Sequence, residues 1–150
     1  MRVIAQRVKS SSVLIDGKER NEIGNGLTIL LGICNEDGQD DIDWLVRKLI
    51  NLRVFADAAG VMNVSIKDIE GEFLVISQFT LYASTKKGNR PSYIRSAGPA
   101  ISEPLYERFV QTLRRESQLT VKTGKFGADM LVSIENDGPV TISMDTHNKE

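Results

Sequence analysis

The sequence predicts a single α+β domain in which about two helices pack on a mainly antiparallel β-sheet or barrel. Three observations lead there. Short β-rich runs separated by tight turns fill the first third, and two segments carry apolar residues at helical spacing. No repeat, linker or low-complexity tract interrupts the 150 residues, a length that buries a core without metals or disulfides.

Taken in order, Val3 to Val8 and Ser12 to Ile15 read as strands, and Asp16-Gly17 is a strong hairpin pair. Gly24-Asn-Gly26 punctuates before Leu27 to Ile33, a continuous apolar run expected for a strand buried on both faces. A helix is predicted from about Gln39 to Asn51, because Ile42, Leu45, Val46, Leu49 and Ile50 share a face and Asp40, Asp41 and Asp43 suit its N-terminal end. Asp57 to Gly60 reads as a loop, and Val61 to Gly71 has no clear pattern. Phe73 to Tyr82 is the most strand-like stretch.

Ser84 to Pro99, rich in Gly, Pro, Ser and Lys, is expected to be a long loop, and loops of that length in compact domains are often functional. A second helix is predicted from roughly Ile101 to Glu116, with Pro104 in its first turn. Leu119 to Lys125, Met130 to Ile134 and Val140 to Met144 are the last expected strands, with Asn136-Asp-Gly-Pro139 as an ordinary turn between two of them. A polar tail from about residue 145 is expected to be mobile and dispensable.

Composition narrows the chemistry. Cys34 is the only cysteine, so no internal disulfide forms and a reducing, cytoplasmic setting is expected. No apolar run approaches the ~20 residues that span a bilayer, so no membrane association is expected. His147, the only histidine, lies in the tail, which leaves a hydrolase without a well-placed imidazole base. With 19 basic and 20 acidic residues the net charge is −1, so RNA, as a partner, must be gripped locally. No metal site or cofactor is expected: Asp40, Asp41 and Asp43 have no second ligand cluster, and no phosphate-cradling glycine motif is present.

Three segments are candidates for function. Ser77, Gln78, Phe79 and Thr80 end the best strand, where four apolar residues give way to polar ones. A strand simply reaching the surface has the same pattern. Thr80 or Ser77 as nucleophile needs a base, and a Ser-His-Asp mechanism is not expected with one histidine in a tail. Gly138-Pro139 is either a plain turn or a rigid element presenting fixed carbonyls. Lys86, Lys87 and Arg90 form a basic loop close in sequence to the first segment, either solvated or steering a phosphate backbone.

These segments resemble the D-aminoacyl-tRNA deacylase family over nearly the whole chain. The carrying features are Ser77-Gln-Phe-Thr-Leu81, Lys87-Gly-Asn-Arg-Pro-Ser92, Gly124-Lys-Phe-Gly-Ala-Asp-Met130 and Asn136-Asp-Gly-Pro-Val-Thr141, with Gln6-Arg7-Val8 and Gly26 to Gly32 in support. The resemblance implies a two-fold homodimer with active sites at the subunit interface. It implies a cis Gly138-Pro139 element, braced by Arg7 and inserted into the neighbouring pocket, that rejects L-amino acids while D-amino acids and glycine pass. Ser77 to Thr80 would hold the aminoacyl ester and terminal adenosine, with Phe126 and Met130 as pocket-side positions. Thr80 is regarded as a nucleophile in such proteins, yet the missing imidazole favours assistance by the ribose hydroxyl of the tRNA. A rival reading is a non-catalytic RNA-binding module that uses the Lys86 to Arg90 loop.

Overall fold

The longest element of the chain is a strand, β1 (Arg2–Ile15), and the rest of the sheet is organised along it. The computed structural model describes residues 1–149. Asp16 and Gly17, both at positive φ, turn β1 back into β2 (Glu19–Ile23), so the Asp-Gly pair forms the hairpin its sequence predicts. The first half of β1 pairs antiparallel with β3 (Gly26–Gly32), and its second half pairs with β2. The two runs expected as separate strands are therefore one.

After β3 comes α1 (Gln39–Asn51), where the sequence puts it. The Asp41 carboxylate accepts the Gly38 N–H at 2.8 Å, closing the first turn, a capping contact worth about 1 kcal/mol. A small hairpin, β4 (Arg53–Ala56) and β5 (Met62–Ser65), follows. Next, β6 (Glu72–Ser77) lies parallel to β3, and β7 (Val121–Thr123) lies parallel to β6, reached through α2 (Pro99–Ser117). The sheet is thus mixed, with antiparallel pairs at β1. The Asn21 side chain of β2 donates to the Thr123 carbonyl of β7 at 2.8 Å, so the sheet is nearly closed.

Both faces of the central strands are buried, as the unbroken apolar runs predict. Phe73 and Val75 of β6 join Leu27, Ile29 and Leu31 of β3 in a core covered by Leu45 and Leu49 of α1 and Phe109 and Leu113 of α2. Leu74 and Ile76 point the other way, to Val8, Val13, Ile15 and Ile23. Truncating one of these side chains to Ala typically costs about 2–5 kcal/mol.

Four further expectations need correction. β6 stops at Ser77, and Phe79–Tyr82 form a single 3-10 turn. The Leu81 N–H bonds back to the Gln78 carbonyl, which ends the ladder and spoils the alternation read across Phe79 to Tyr82. α2 begins at Pro99, whose missing N–H has no partner to lose there, so Pro104 lies beyond its first turn.

The third correction concerns Asn136-Asp-Gly-Pro139, which is not a hairpin turn. One strand, β8 (Met130–Asp145), runs through it against the full length of β1. Gln6 faces Thr141 and Val8 faces Asn136, so Arg7 alone opposes residues 137–140, which bulge from the strand.

The tail is the fourth. Thr146 is buried and its N–H donates to the Met1 carbonyl at 2.9 Å. Arg2 pairs with Asp145 at 2.8 Å, and His147 Nε2 lies 2.8 Å from Asp37 Oδ1. Composition alone marks this segment as loose, but long-range polar partners hold it. Glu150 of the expected tail lies outside the described residues.

Candidate active site

Where the parallel strands β3 and β6 end, α2 begins and the β7–β8 connection passes over, a pocket of about 400 Å³ opens. Its floor is Leu31 and Ile33, and its rim holds Ser77, Gln78 and Phe79. Tyr93, Ser96 and Ala97 come from the long loop, Pro99 and Ser102 from the start of α2, and Phe126 and Gly127 from the connection. A cleft at the carboxyl ends of parallel strands is a common place for a ligand site in such sheets.

The change from strand to 3-10 turn determines what the rim offers. Gln78 N–H still bonds the Leu31 carbonyl at 2.7 Å, the last rung of the β3–β6 region. The turn's first internal bond is Leu81 N–H to Gln78 O, so the amides of Phe79 and Thr80 have no partner within the turn. The Phe79 ring is 56% exposed and meets Tyr93 edge-on, with centroids 5.0 Å apart. Below, Tyr106 supports Phe126 with ring centroids 6.0 Å apart and donates its hydroxyl to the Val75 carbonyl at 2.9 Å. Burial raises the Tyr106 phenol pKa, against a smaller opposing effect of the Arg114 guanidinium, so the group stays protonated.

The lining holds no carboxylate, imidazole or thiol among the described residues. Thr80 is not part of it; its Oγ1 accepts the Gln78 side-chain N–H. The pocket therefore combines aromatic walls, a few hydroxyl and amide groups, and main-chain donors. Such a lining suits a flat, partly apolar group and a developing negative charge, and it has no side chain placed to remove a proton.

The remaining candidate residues fall elsewhere. Met130 lies inside the sheet, its sulfur over Gly124, where a Cβ would come within 2.4 Å. Lys86, Lys87 and Arg90 are exposed on a loop pinched shut by the Ser84–Ser92 bridge, next to Tyr93 at the pocket mouth.

Gly138 and Pro139 are exposed, their peptide bond is cis, and neither lines this pocket. Gly138 sits at φ +119°, a conformation L side chains rarely adopt, and an added Cβ would crowd the Arg7 guanidinium at 3.0 Å. Arg7 Nε lies 3.0 Å from the Asp137 carboxylate, and Arg7 Nη1 donates to the Val54 carbonyl. Ser96, Ala97 and Ser102 escaped sequence reasoning; the Gly98-Pro99 helix start was the feature that marks their place.

Comparison with known proteins identifies the family. The model of the D-Tyr-tRNA(Tyr) deacylase family matches residues 4–145. A D-aminoacyl-tRNA deacylase of Bacteroides thetaiotaomicron is 61% identical over 150 residues, covering 100% of both chains. One from Flavobacterium johnsoniae is 53% identical over the same span, again 100% of both chains. A solved structure described as c-Myc DNA Unwinding Element Binding Protein superposes with a TM-score of 0.90 at 42% identity, covering 97% of this chain and 99% of that one. A structure titled as a probable eukaryotic D-amino acid tRNA deacylase shares the fold, with a TM-score of 0.83 at 17% identity over 95% and 97% of the two chains. With a base-free pocket built on Ser77-Gln-Phe79 and a family model that spans nearly its full length, this chain belongs to the D-Tyr-tRNA(Tyr) deacylase family.

Proposed function

We propose that this protein is a tRNA-editing hydrolase that cleaves the ester of D-aminoacyl-tRNA, releasing free amino acid and tRNA. The observation that carries the reading is the pocket at Ser77 to Phe79, with aromatic walls, main-chain amides that have no partner within the 3-10 turn, and no side-chain base in its lining. An aminoacyl ester asks for little beyond that. It is labile, so orientation and stabilisation of the oxyanion supply much of the rate.

In this reading the exposed face of the Phe79 ring, held edge-on by Tyr93, stacks on the terminal adenine, and the main-chain N–H groups at the start of the 3-10 turn face the ester carbonyl. Water attacks the carbonyl carbon, the oxyanion is held by those N–H groups, and the bond to the ribose oxygen breaks. The neighbouring ribose hydroxyl of the substrate relays the proton of the attacking water to the departing ribose oxygen, a transfer for which no pocket side chain is positioned. The exposed Lys86, Lys87 and Arg90 loop, anchored beside Tyr93, meets the tRNA backbone.

Handedness is judged by Gly138-Pro139 of a second copy. Two features support this. Gly138 and Pro139 are exposed and do not line the Ser77 pocket of their own protomer. β8 pairs only with β1 among the described residues, which leaves a long open edge with half-buried Val132, Ile134 and Ile142 beside it. Inserted into the neighbouring pocket, the carbonyls of Gly138-Pro139 occupy the space an L side chain needs, while D-amino acids and glycine are accepted. No helix of the described residues is long and apolar enough to cross a membrane, and a tRNA substrate fits a cytoplasmic protein.

The test is single-turnover hydrolysis of D-tyrosyl-, glycyl- and L-tyrosyl-tRNA, with light scattering on the same sample. The first two are expected to be discharged and the third spared, by a dimer. Equal discharge of both enantiomers would remove the role given to Gly138-Pro139. Protection of charged tRNA without turnover would favour a binding module instead.

A further inference from the structure

Outside the active-site pocket, the corner between β3 and α1 gathers three donor atoms of the kind that hold a transition-metal ion. Cys34 follows the end of β3, Asp37 sits in the turn before α1, and His147 arrives from the tail. Cys34 Sγ lies 3.8 Å from His147 Nε2, which lies 2.8 Å from Asp37 Oδ1, and all three atoms fall within 4.8 Å of one another. Donors around a tetrahedral zinc-sized cation, at about 2.0–2.3 Å from it, stand roughly 3.3–3.7 Å apart, so small side-chain shifts suffice.

A second observation is independent of that spacing. Tyr82 is 2% exposed, and its hydroxyl has no oxygen or nitrogen partner among the described residues; its polar neighbour is the Cys34 thiol, a weak acceptor. It lines the same small cavity as Cys34 and His147, together with Asn35, Glu36 and Arg95. A buried hydroxyl whose neighbour is a weak sulfur acceptor is poorly satisfied. A Cys34 thiolate, a better acceptor than the thiol, or a water on the cation would satisfy it.

We propose that Cys34 Sγ, Asp37 Oδ1 and His147 Nε2 form a structural site for one borderline-soft divalent cation of the zinc class. A thiolate and an imidazole select against magnesium and calcium. The fourth position faces the Tyr82 cavity and takes water. Binding displaces the thiol proton of Cys34 and clears Nε2, whose ring keeps its proton on Nδ1; the Cys34 thiolate with the Asp37 and Asp41 carboxylates then balances the cation and the Met1 ammonium.

Asp37 has room for the ion. Its Oδ2 accepts the Cys34 N–H at 2.7 Å, and its Oδ1 also receives the Met1 ammonium, leaving further lone-pair directions free. Asp41 Oδ1, 3.9 Å from Nε2, adds negative charge nearby. The cation would fasten the tail to the corner behind the active-site pocket, since Ile33, beside Cys34, lines that pocket and accepts the Ala97 N–H.

The experiment titrates the untagged, chelator-treated full chain with Co²⁺ as the optical probe, followed by Zn²⁺ in competition. The expected result is a sulfur-to-cobalt charge-transfer band in the near ultraviolet, saturating at one ion per chain and erased by zinc. His147→Gln, with an unchanged far-ultraviolet circular dichroism spectrum, should bind roughly tenfold or more weakly. It should also lose the zinc-dependent rise in melting temperature, and Cys34→Ser should lose the band. A folded parent with no band, or a His147→Gln variant with the parent's band and affinity, overturns the proposal.

Discussion

The Arg7 guanidinium holds Asp137 by two oxygens, its Nε lying 3.0 Å from the carboxylate and 3.3 Å from the main-chain carbonyl. Through Nη1 it also reaches the Val54 carbonyl, so one side chain joins the Gly138-Pro139 bulge to the β4 hairpin. Arg7→Ala strips the guanidinium from these acceptors, leaves the Asp137 carboxylate with Lys9 at 3.5 Å, and is expected to cost about 1–3 kcal/mol and free the bulge to move. Discharge of L-tyrosyl-tRNA is expected to rise on the order of tenfold relative to the D ester. Arg7→Lys, which keeps the charge and loses the fork, should fall between. Unchanged enantiomer selectivity in a folded Arg7→Ala protein would show that the bulge needs no brace.

Thr80 gives a sharper test of how the proton moves. Its hydroxyl accepts from the Gln78 side chain, and no base stands beside it in the pocket lining. Removing a working nucleophile or its proton relay costs at least about a hundredfold in rate. Thr80→Ala is instead expected to keep kcat for D-tyrosyl-tRNA within roughly tenfold of the parent. Activity abolished in a folded variant would return Thr80 to the role of nucleophile.

How far the sequence could lead is clear from where it failed. Helix α1 and the buried β3 and β6 strands were legible, because Ile42, Leu45 and Leu49 or Phe73 to Ile76 encode both period and burial. Of the polar strand end Ser77 to Thr80, the first three residues line the pocket and Thr80 does not; the 3-10 turn leaves no trace in the sequence, since Leu81 and Tyr82 are as strand-like as what precedes them. The bulge at residues 137–140 carries turn composition inside a continuous strand, and only its register against Arg7 reveals it. The contacts of the tail are illegible for a related reason: Thr146 and His147 are ordinary polar residues until Met1 and Asp37 stand beside them. Long-range polar partners leave no local pattern.

The aromatic pair at the mouth leads to a binding prediction. Phe79 is half exposed and leans edge-on against Tyr93, an arrangement that offers a ring face to a nucleobase. Stacking of a base on an aromatic side chain is worth about 1–3 kcal/mol. Phe79→Ala is expected to raise KM for D-tyrosyl-tRNA on the order of ten- to a hundredfold, with a smaller change in kcat, and Phe79→Tyr to remain near the parent. A kcat loss at unchanged KM would mean that the residue positions the turn's amides and does not stack.

Tyr106 links the pocket's support to pH. Its hydroxyl donates to the Val75 carbonyl, which also receives the Gly124 N–H at 3.1 Å, so Tyr106→Phe leaves that oxygen one partner and should cost about 1 kcal/mol near neutrality. Burial raises the folded-state pKa above the ordinary phenol value of 10.0. Above that pH the unfolded chain releases the proton while the folded one keeps it, so unfolding is favoured as pH rises. The contribution of Tyr106 is therefore complete below about pH 10 and declines above it. In urea unfolding from roughly pH 7 to 11, the stability gap between parent and Tyr106→Phe is expected to be constant at first and to narrow at the alkaline end. A gap that stays constant through that range would mean that the phenol ionises as easily in the folded protein as in the unfolded chain, and that the hydrogen bond to Val75 holds no proton in place.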